Sequence, residues 1–234
     1  MSSIAKRLET VRQRIRSAEA AAGREPGSVT LLAVSKMQPL QALQEAIAAG
    51  QRQFGENYLQ EAGDKQDALD AEPDLCWHFI GPLQSNKTKP AAQRFDGVHS
   101  VDRLKLARRL DAQRPEHLPP LNICLQVNIS GEDSKAGLTP EQTIELAPAM
   151  AEFTRLRLRG LMAIPAPCDD PDEQRKPFRA LRELQQSLCE RGLSLDTLSM
   201  GMSGDLEAAI AEGSTLVRVG TDVFGPRPAP DHSN

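Results

Sequence analysis

The sequence has few of the features that mark nucleic-acid-binding or membrane proteins. Aromatic residues make up 3% of its 234 residues, and 32 acidic residues outnumber 28 lysines and arginines, so the formal net charge is −4. Without a basic block or interleaved aromatics, a nucleic-acid surface is not indicated. No apolar run approaches the ~20 residues of a membrane span. The charged N-terminus does not read as a signal peptide, so we expect a cytoplasmic protein.

Cysteine is also sparse. The chain has four cysteines, far apart and without a Cys-x-x-Cys pair: Cys76, Cys124, Cys168 and Cys189. Isolated cysteines in apolar segments usually act as small buried hydrophobes. A disulfide framework and a structural zinc site are therefore not indicated. This usage fits a reducing compartment, and we expect no metal site.

Short apolar runs alternate with segments long enough to be helices. The runs predict eight strands, over residues 30–36, 53–55, 77–81, 97–100, 121–128, 156–164, 197–201 and 215–220. Such alternation predicts a parallel sheet, and eight units close into a single (β/α)8 TIM barrel of the α/β class. The alternative is an open doubly wound sheet. That fold normally has a Gly-rich dinucleotide turn after its first strand, and the turn is absent at residues 36–38.

No linker or internal repeat divides the chain, so we expect one domain over residues 1–234. An N-terminal helix is predicted over 2–22, because Ile4, Leu8, Val11 and Ile15 recur at helical spacing. The Pro-rich, polar tail over 226–234 is expected to be disordered. No extra domain or obvious apolar patch calls for a partner, so a monomer is expected.

The first predicted strand ends on a lysine. Side chains alternate along a strand, so Leu32, Val34 and Lys36 are expected to share one face. A lysine on the inward face of a buried strand is costly unless it is neutral, paired or covalently used. Burial lowers the pKa of a lysine, and the neutral amine forms Schiff bases. We interpret Lys36 as the carrier of an aldehyde. The simpler alternative is a strand-end lysine with its amine in solvent.

Two glycine-containing corners follow the last two predicted strands. The segment 199–206 runs from strand to helix through Gly201 and Gly204, and Gly220-Thr221 forms the second corner. Glycine lets the backbone approach an anion, and a helix start presents N–H groups to it. In barrels of this type the loops after strands seven and eight bind phosphate. Ordinary tight turns with a serine cap remain the alternative.

Other reactive side chains fall at or near strand ends: Asn57, His78 and Arg218. An arginine between Val217 and Val219 must point into the barrel mouth or out between helices, where a structural ion pair is the alternative. Taken alone, His78 is more typical of a hydrogen-bonded core histidine than of a catalytic base. Taken together, Lys36, the phosphate corners and Arg218 describe a pocket for pyridoxal 5′-phosphate (PLP). Arg218 would face the pyridine nitrogen and keep it unprotonated, which weakens the ring as an electron sink.

A series of short motifs, in order from residue 33 to residue 225, resembles the pyridoxal phosphate homeostasis proteins of the YggS/PROSC type. The motifs lie at 33–36, 54–57, 77–87, 99–102, 126–128, 135–138, 159–164, 198–203 and 218–225. Each motif is short, but so many in sequence are highly specific. The resemblance covers nearly the whole chain.

The resemblance implies a fold-type III barrel similar to the N-terminal domain of alanine racemase. It implies PLP held covalently as an aldimine on Lys36, with Arg218 near the pyridine nitrogen. Ser203, Gly220 and Thr221 would lie near the phosphate. The cofactor-binding residues expected on this basis, together with the corners above, are Lys36, Asn57, His78, Ser199, Met200, Met202, Ser203, Arg218, Gly220 and Thr221.

The resemblance further implies a protein that binds, buffers and delivers PLP, with apo PLP-dependent enzymes as recipients, and that influences amino- and keto-acid balance. No catalytic residue is expected. Racemases of this fold need a second base, a tyrosine from a further β-domain, whereas the only tyrosine here, Tyr58, begins the second predicted barrel helix. A one-base site moves a proton between faces poorly. The alternatives are a racemase or lyase with His78 or water as second base, and a lysine aldolase for sugar phosphates.

Overall fold

Eight parallel strands close into a barrel in sequence order, in a computed structural model that describes residues 3–132 and 136–226. The (β/α)8 prediction is confirmed. The strands are β1 (Thr30–Val34), β2 (Gln53–Glu56), β3 (Cys76–Phe79), β4 (Gly97–Val101), β5 (Leu121–Gln126), β6 (Leu156–Met162), β7 (Thr197–Ser199) and β8 (Leu216–Val219). Lys135 of the 135–138 motif, and the predicted tail apart from Pro226, lie outside the described residues.

Helices surround the barrel. They are α1 (Ile4–Ala21), α2 (Leu40–Ala48), α3 (Leu59–Ala68), α4 (Thr88–Arg94), α5 (Leu104–Gln113), α6 (Pro140–Ala151), α7 (Pro171–Glu190), α8 (Leu206–Ala211) and α9 (Thr221–Phe224), and a 3-10 turn covers Ser85–Lys87. α1 lies within the predicted range 2–22 and packs against α2, α8 and α9. No helix in residues 3–132 and 136–226 is both long and apolar enough to cross a membrane.

The prediction that β1 continues to Lys36 is wrong, because the strand ends at Val34. Ser35 still donates its N–H to the carbonyl of Gly55 at 3.0 Å, but its own carbonyl accepts the N–H of Gln38 at 3.0 Å. The chain therefore turns at Lys36 and Met37, and Met37 has a positive φ of 59°. Lys36 lies on this turn, two residues beyond the strand.

The two corners after β7 and β8 also differ in detail from the sequence prediction. Helix α8 begins at Leu206 instead of residue 203, because Met202 donates its N–H to Oδ1 of Asp205 at 2.5 Å and the residues between them form a turn. Gly220 is followed directly by the short helix α9, which the sequence did not predict. Both changes leave glycine-containing turns at the ends of β7 and β8.

The barrel separates an apolar outer layer from a partly polar interior. Phe54 and Trp77 pack together outside the barrel, with ring centroids 5.5 Å apart. Inside it, a Cβ at Gly55 would lie 3.1 Å from side-chain atoms of both Leu32 and Ile80, so only glycine fits there without displacement. Most of the large apolar side chains lie in the outer layer, which leaves the interior open to polar groups.

Candidate functional site

The strand ends that carry the predicted site meet at one rim. All strands are parallel and neighbours in sequence order, so the segments that follow them lie at the same end of the barrel. The rim therefore brings together the turn with Lys36 after β1, Asn57 after β2, and the corners after β7 and β8. This end is where barrels of this kind carry their working residues.

A buried ion pair fixes the start of the Lys36 turn. Glu56 is fully buried at the end of β2, and its Oε1 accepts Nζ of Lys65 at 2.8 Å and Oγ of Ser35 at 2.6 Å. Nζ of Lys65 also donates to the carbonyl oxygen of Ser35 at 2.7 Å. Burial raises the pKa of Glu56, and Lys65 and Ser35 oppose that rise. The hydroxyl and the carbonyl oxygen of Ser35 are thus both held by one ion pair.

The same cluster holds the other side of the turn. Lys65 donates to Oε1 of Glu61 at 2.6 Å, and that oxygen accepts the backbone N–H of Met37 at 2.6 Å. Lys36 is half-buried and lies between the two anchored residues. Its backbone is therefore positioned on both sides by Glu56, Lys65 and Glu61, three residues that the sequence analysis did not single out.

Arg218 is buried and is held by neutral oxygen atoms. Its Nη1 donates to the carbonyl oxygen and to Oγ of Ser199 at 2.5 and 2.8 Å, and its Nη2 donates to the carbonyl oxygen of Ala163 at 2.9 Å. In the described part of the chain, no carboxylate forms an ion pair with it. Burial lowers the pKa of Arg218 to about 10, so the guanidinium stays charged at neutral pH. The carboxylate of Asp205 acts on Arg218 electrostatically and raises its pKa against the effect of burial, but the two form no direct ion pair.

Arg14, which the sequence analysis missed, ties the two corners together. Its Nη2 donates to the carbonyl oxygen of Ser203 at 2.9 Å, and its Nη1 contacts Oδ2 of Asp222 at 2.6 Å. Its Nε contacts Oε1 of Glu207 at 2.8 Å. One guanidinium of α1 thus spans the corner after β7 and the first turn of α9. The two corners are therefore held next to each other.

Polar groups at the rim are available to a ligand. Among residues 3–132 and 136–226, the backbone N–H groups of Ser203, Gly204 and Thr221 donate to no backbone carbonyl. Oδ1 of Asn57 is buried without a hydrogen-bond partner in that same part of the chain. Polar groups in such positions normally have a hydrogen-bond partner. Backbone donors at the corners fit a phosphate, and Asn57 fits a polar substituent beside Lys36.

His78 lies below the rim, inside the barrel. Its Nδ1 is 2.9 Å from Nε2 of His99, and its Nε2 is 2.9 Å from Oε1 of Gln53 and 3.2 Å from Sγ of Cys76. It borders a cavity of about 430 Å³ at the end of the barrel where the strands begin. No three His, Cys, Asp or Glu side chains are grouped as metal ligands in the described residues. The hydrogen bonds match a core histidine, and contact of His78 with a cofactor stays a prediction.

The remaining predicted residues divide between rim and interior. Ser199 is fully buried, and its hydroxyl is taken up by Arg218 and by Nδ1 of His99 at 2.8 Å. Met200 is fully buried in the hydrophobic core. Met202 is half-buried in the corner after β7. Direct contact of Ser199 and Met200 with a cofactor therefore stays a prediction, and the structure gives Ser199 a second role as a support of Arg218.

The buried histidine predicts a pH effect on stability. Burial lowers the pKa of His78 from 6.5 to about 4, with nearby Arg159 acting in the same direction. The neutral ring therefore stabilises the fold fully above the unfolded pKa, and this stability is lost as the pH falls through the folded value. We expect His78→Gln to reduce proton uptake on unfolding by up to about one proton in this window. Urea midpoints from pH 7 to pH 4 measure it.

The exposed His117 provides a matched control for this experiment. His117→Gln makes the same substitution at an exposed position, so it controls for the loss of a histidine side chain as such. Equal slopes for wild type and His78→Gln would show that His78 is already protonated, or solvated, in the folded protein.

Comparison with known proteins agrees with this geometry. A family model described as alanine racemase, N-terminal domain, matches residues 7–228. The chain is 60% identical to the pyridoxal phosphate homeostasis protein of Pseudomonas aeruginosa, over 97% of each chain. It is 53% identical to the protein of that name from Escherichia coli, over 97% of this chain and 98% of the relative.

Solved structures give the same result. PipY of Synechococcus elongatus, in a structure with PLP bound, is 41% identical with a TM-score of 0.83, over 95% of this chain and 100% of that chain. An alanine racemase of Clostridium difficile shares the fold alone, with 11% identity and a TM-score of 0.73 over 94% of this chain and 58% of that chain. The resemblance found in the sequence is confirmed, and the chain belongs to the family of pyridoxal phosphate homeostasis proteins, which have a barrel of the alanine racemase N-terminal type.

Proposed function

We propose that this protein holds PLP covalently on Lys36 and serves as a monomeric, cytoplasmic reserve that releases the cofactor to apo PLP-dependent enzymes. The names of its relatives and the PLP bound to PipY support this proposal. Because PLP-dependent enzymes interconvert amino and keto acids, such a reserve would influence the balance between the two. The proposal also names the residues that would hold the cofactor.

The residues at the rim suit the aldehyde and the phosphate of the cofactor. The amine of Lys36 condenses with the aldehyde, forms a C=N bond and releases one water. The N–H groups of Ser203, Gly204 and Thr221, with the hydroxyls of Ser203 and Thr221, hold the phosphate. When bound, PLP supplies an aldehyde and an electron-accepting ring. These contacts come from three parts of the rim: the turn after β1 and the corners after β7 and β8.

The observation that carries the proposal is the buried charge of Arg218. Its guanidinium is held by the oxygens of Ser199 and Ala163, with no carboxylate ion pair among the described residues. A buried cation without a direct ion pair is costly, and a ligand that accepts a hydrogen bond from it would offset part of that cost. Placed at the pyridine nitrogen, it keeps that nitrogen unprotonated and weakens the ring as an electron sink. This favours holding the cofactor over turnover.

The groups that could act as a second base are poorly suited to it. Tyr58 is 53% exposed at the start of α3. Both ring nitrogens of His78 are engaged by His99 and by Gln53 with Cys76. A proton must be taken and returned on opposite faces for racemisation, and one amine does this poorly. A racemase or lyase of weak activity is the second candidate, with water as its base.

Proton exchange separates a reserve from an enzyme. Wild type loaded with PLP is incubated with L-alanine in D2O, and deuterium at the α-carbon is followed by NMR. We expect no exchange above the rate given by the same concentration of free PLP, while apo enzymes added separately regain activity from the loaded protein. Lys36→Ala is the control. Fast exchange that saturates with L-alanine and disappears in Lys36→Ala would show that the protein is an enzyme and contradict its role as a reserve.

A further inference from the structure

A chain of hydrogen bonds runs through the barrel interior from Arg218 to the opposite end. Nη1 of Arg218 contacts Oγ of Ser199 at 2.8 Å, and that hydroxyl lies 2.8 Å from Nδ1 of His99. Nε2 of His99 lies 2.9 Å from Nδ1 of His78, whose Nε2 lies 2.9 Å from Oε1 of Gln53. Four side-chain contacts thus link the predicted cofactor end to the cavity at the strand starts.

The hydrogen-bonding groups allow one continuous direction of donation along this chain, from Arg218 to Gln53. A guanidinium only donates, so Oγ of Ser199 accepts from Arg218 and its own proton is free to point at His99. His99 then accepts at Nδ1 and donates from Nε2. His78 accepts at Nδ1 and donates from Nε2 to the carbonyl oxygen of Gln53. Every link is satisfied when both rings are neutral and carry their proton on Nε2.

The surroundings keep both rings neutral. His99 is buried, and burial lowers its pKa well below the usual value, with His78 and Arg218 acting in the same direction. His78 faces Cys76, whose thiol stays protonated because burial raises its pKa to about 12. The charged pair Arg159 and Asp196 lines the same cavity, with Nε and Oδ1 2.7 Å apart. Cys124 also lines this cavity, and burial raises the pKa of its thiol to about 12.

We propose that His99 and His78 are positioning residues for Arg218. Because the hydroxyl proton of Ser199 points to His99, its oxygen can accept a hydrogen bond from the guanidinium. This contact holds Arg218 against the carbonyl oxygens of Ser199 and Ala163. Since arginine has no lone pair to accept a proton, the chain does not carry protons from the cavity to a bound ring. The histidines therefore fix the orientation of Arg218 without transferring protons to it. The effect on PLP rests on the proposed function.

The first test needs no cofactor. In ¹⁵N-labelled wild type, long-range ¹H–¹⁵N spectra report which ring nitrogen of each histidine carries the proton. We expect the Nε2–H form for both His78 and His99 at neutral pH, assigned by comparison with His78→Gln and His99→Gln, with the exposed His117 as reference. A proton on Nδ1 of either buried ring, or a doubly protonated ring, would overturn the direction of the chain.

The second test uses the loaded protein. His99→Gln keeps the direction, because its carbonyl can accept from Ser199 and its amide can donate to His78. His99→Leu removes both contacts. We expect the pH midpoint of the bound-cofactor absorption band to shift by about one unit in His99→Leu, the scale of one hydrogen bond to a charged group, and to stay near wild type in His99→Gln.

The outcomes separate the two proposals. If wild type takes up no PLP, the proposed function fails, while the ring tautomers still test the chain. If wild type binds PLP and both His99 variants keep its band and midpoint, the positioning role is wrong. If His99→Leu does not fold, the tautomer measurement on wild type decides alone, because it requires no variant beyond those used for assignment.

Discussion

Lys36→Ala is expected to abolish covalent uptake of PLP and to weaken its binding about a hundredfold or more, which corresponds to about 3 kcal/mol. In the proposed site, the corners after β7 and β8 and Arg218 would still contact the phosphate and the ring. The C=N bond could no longer form. Absorbance during titration with PLP measures the bond. Equilibrium dialysis measures the residual affinity.

Lys87 provides a matched control. It is an exposed lysine in the 3-10 turn that follows β3, on the same rim of the barrel. Lys87→Ala should bind PLP as wild type does, because free surface amines form only weak, reversible adducts. If Lys36→Ala keeps the absorption band and Lys87→Ala loses it, the cofactor is attached elsewhere and the account of the rim is wrong.

Lys65→Met is expected to lower the free energy of unfolding by about 3–5 kcal/mol, because it leaves Glu56 buried without its cation. The carboxylate would keep only the hydroxyl of Ser35 as a donor, and the carbonyl of Ser35 would lose its contact with Nζ. The turn with Lys36 should loosen at the same time. Urea unfolding measures the stability, and the rate of PLP uptake measures the turn.

Acid should partly rescue this variant. Glu56 has a raised pKa in the folded protein, so its contribution to stability is present at low pH and is lost as the pH rises through the folded value. Without Lys65 the pKa rises further, and the deficit relative to wild type should shrink as the pH falls below neutral. The exposed pair Lys176 and Glu173 is the control, since Lys176→Met should leave the free energy of unfolding close to that of wild type. A similar loss in both variants would contradict the role of the buried pair.

The barrel could be predicted from the sequence because its signal is local. Each strand is a short apolar run, and each run is followed by a segment of helical length, so β1 to β8 were found in order. The corners after β7 and β8 were marked by glycines. The end of β1 was misplaced, since the turn at Lys36 depends on the contacts of Ser35 and Met37 with Glu56, Lys65 and Glu61.

The residues that hold the site in place could not be predicted from any single segment of the sequence. Arg14 contacts Ser203 across 189 positions of the sequence, and His99 contacts Ser199 across 100. Nothing in the pattern around either residue indicates its partner, because such pairings are created only when the barrel closes. Taken alone, His78 is more typical of a core histidine, and the structure places it in the interior, in contact with His99 and Gln53.

Borohydride trapping tests the central proposal most directly. Loaded wild type is reduced to fix any imine, digested and mapped by mass spectrometry. We predict a phosphopyridoxyl group on Lys36 alone, in a peptide that trypsin no longer cleaves at that position. A label on another lysine, or none on a protein that still retains PLP through dialysis, would contradict the proposal that the turn after β1 carries the cofactor.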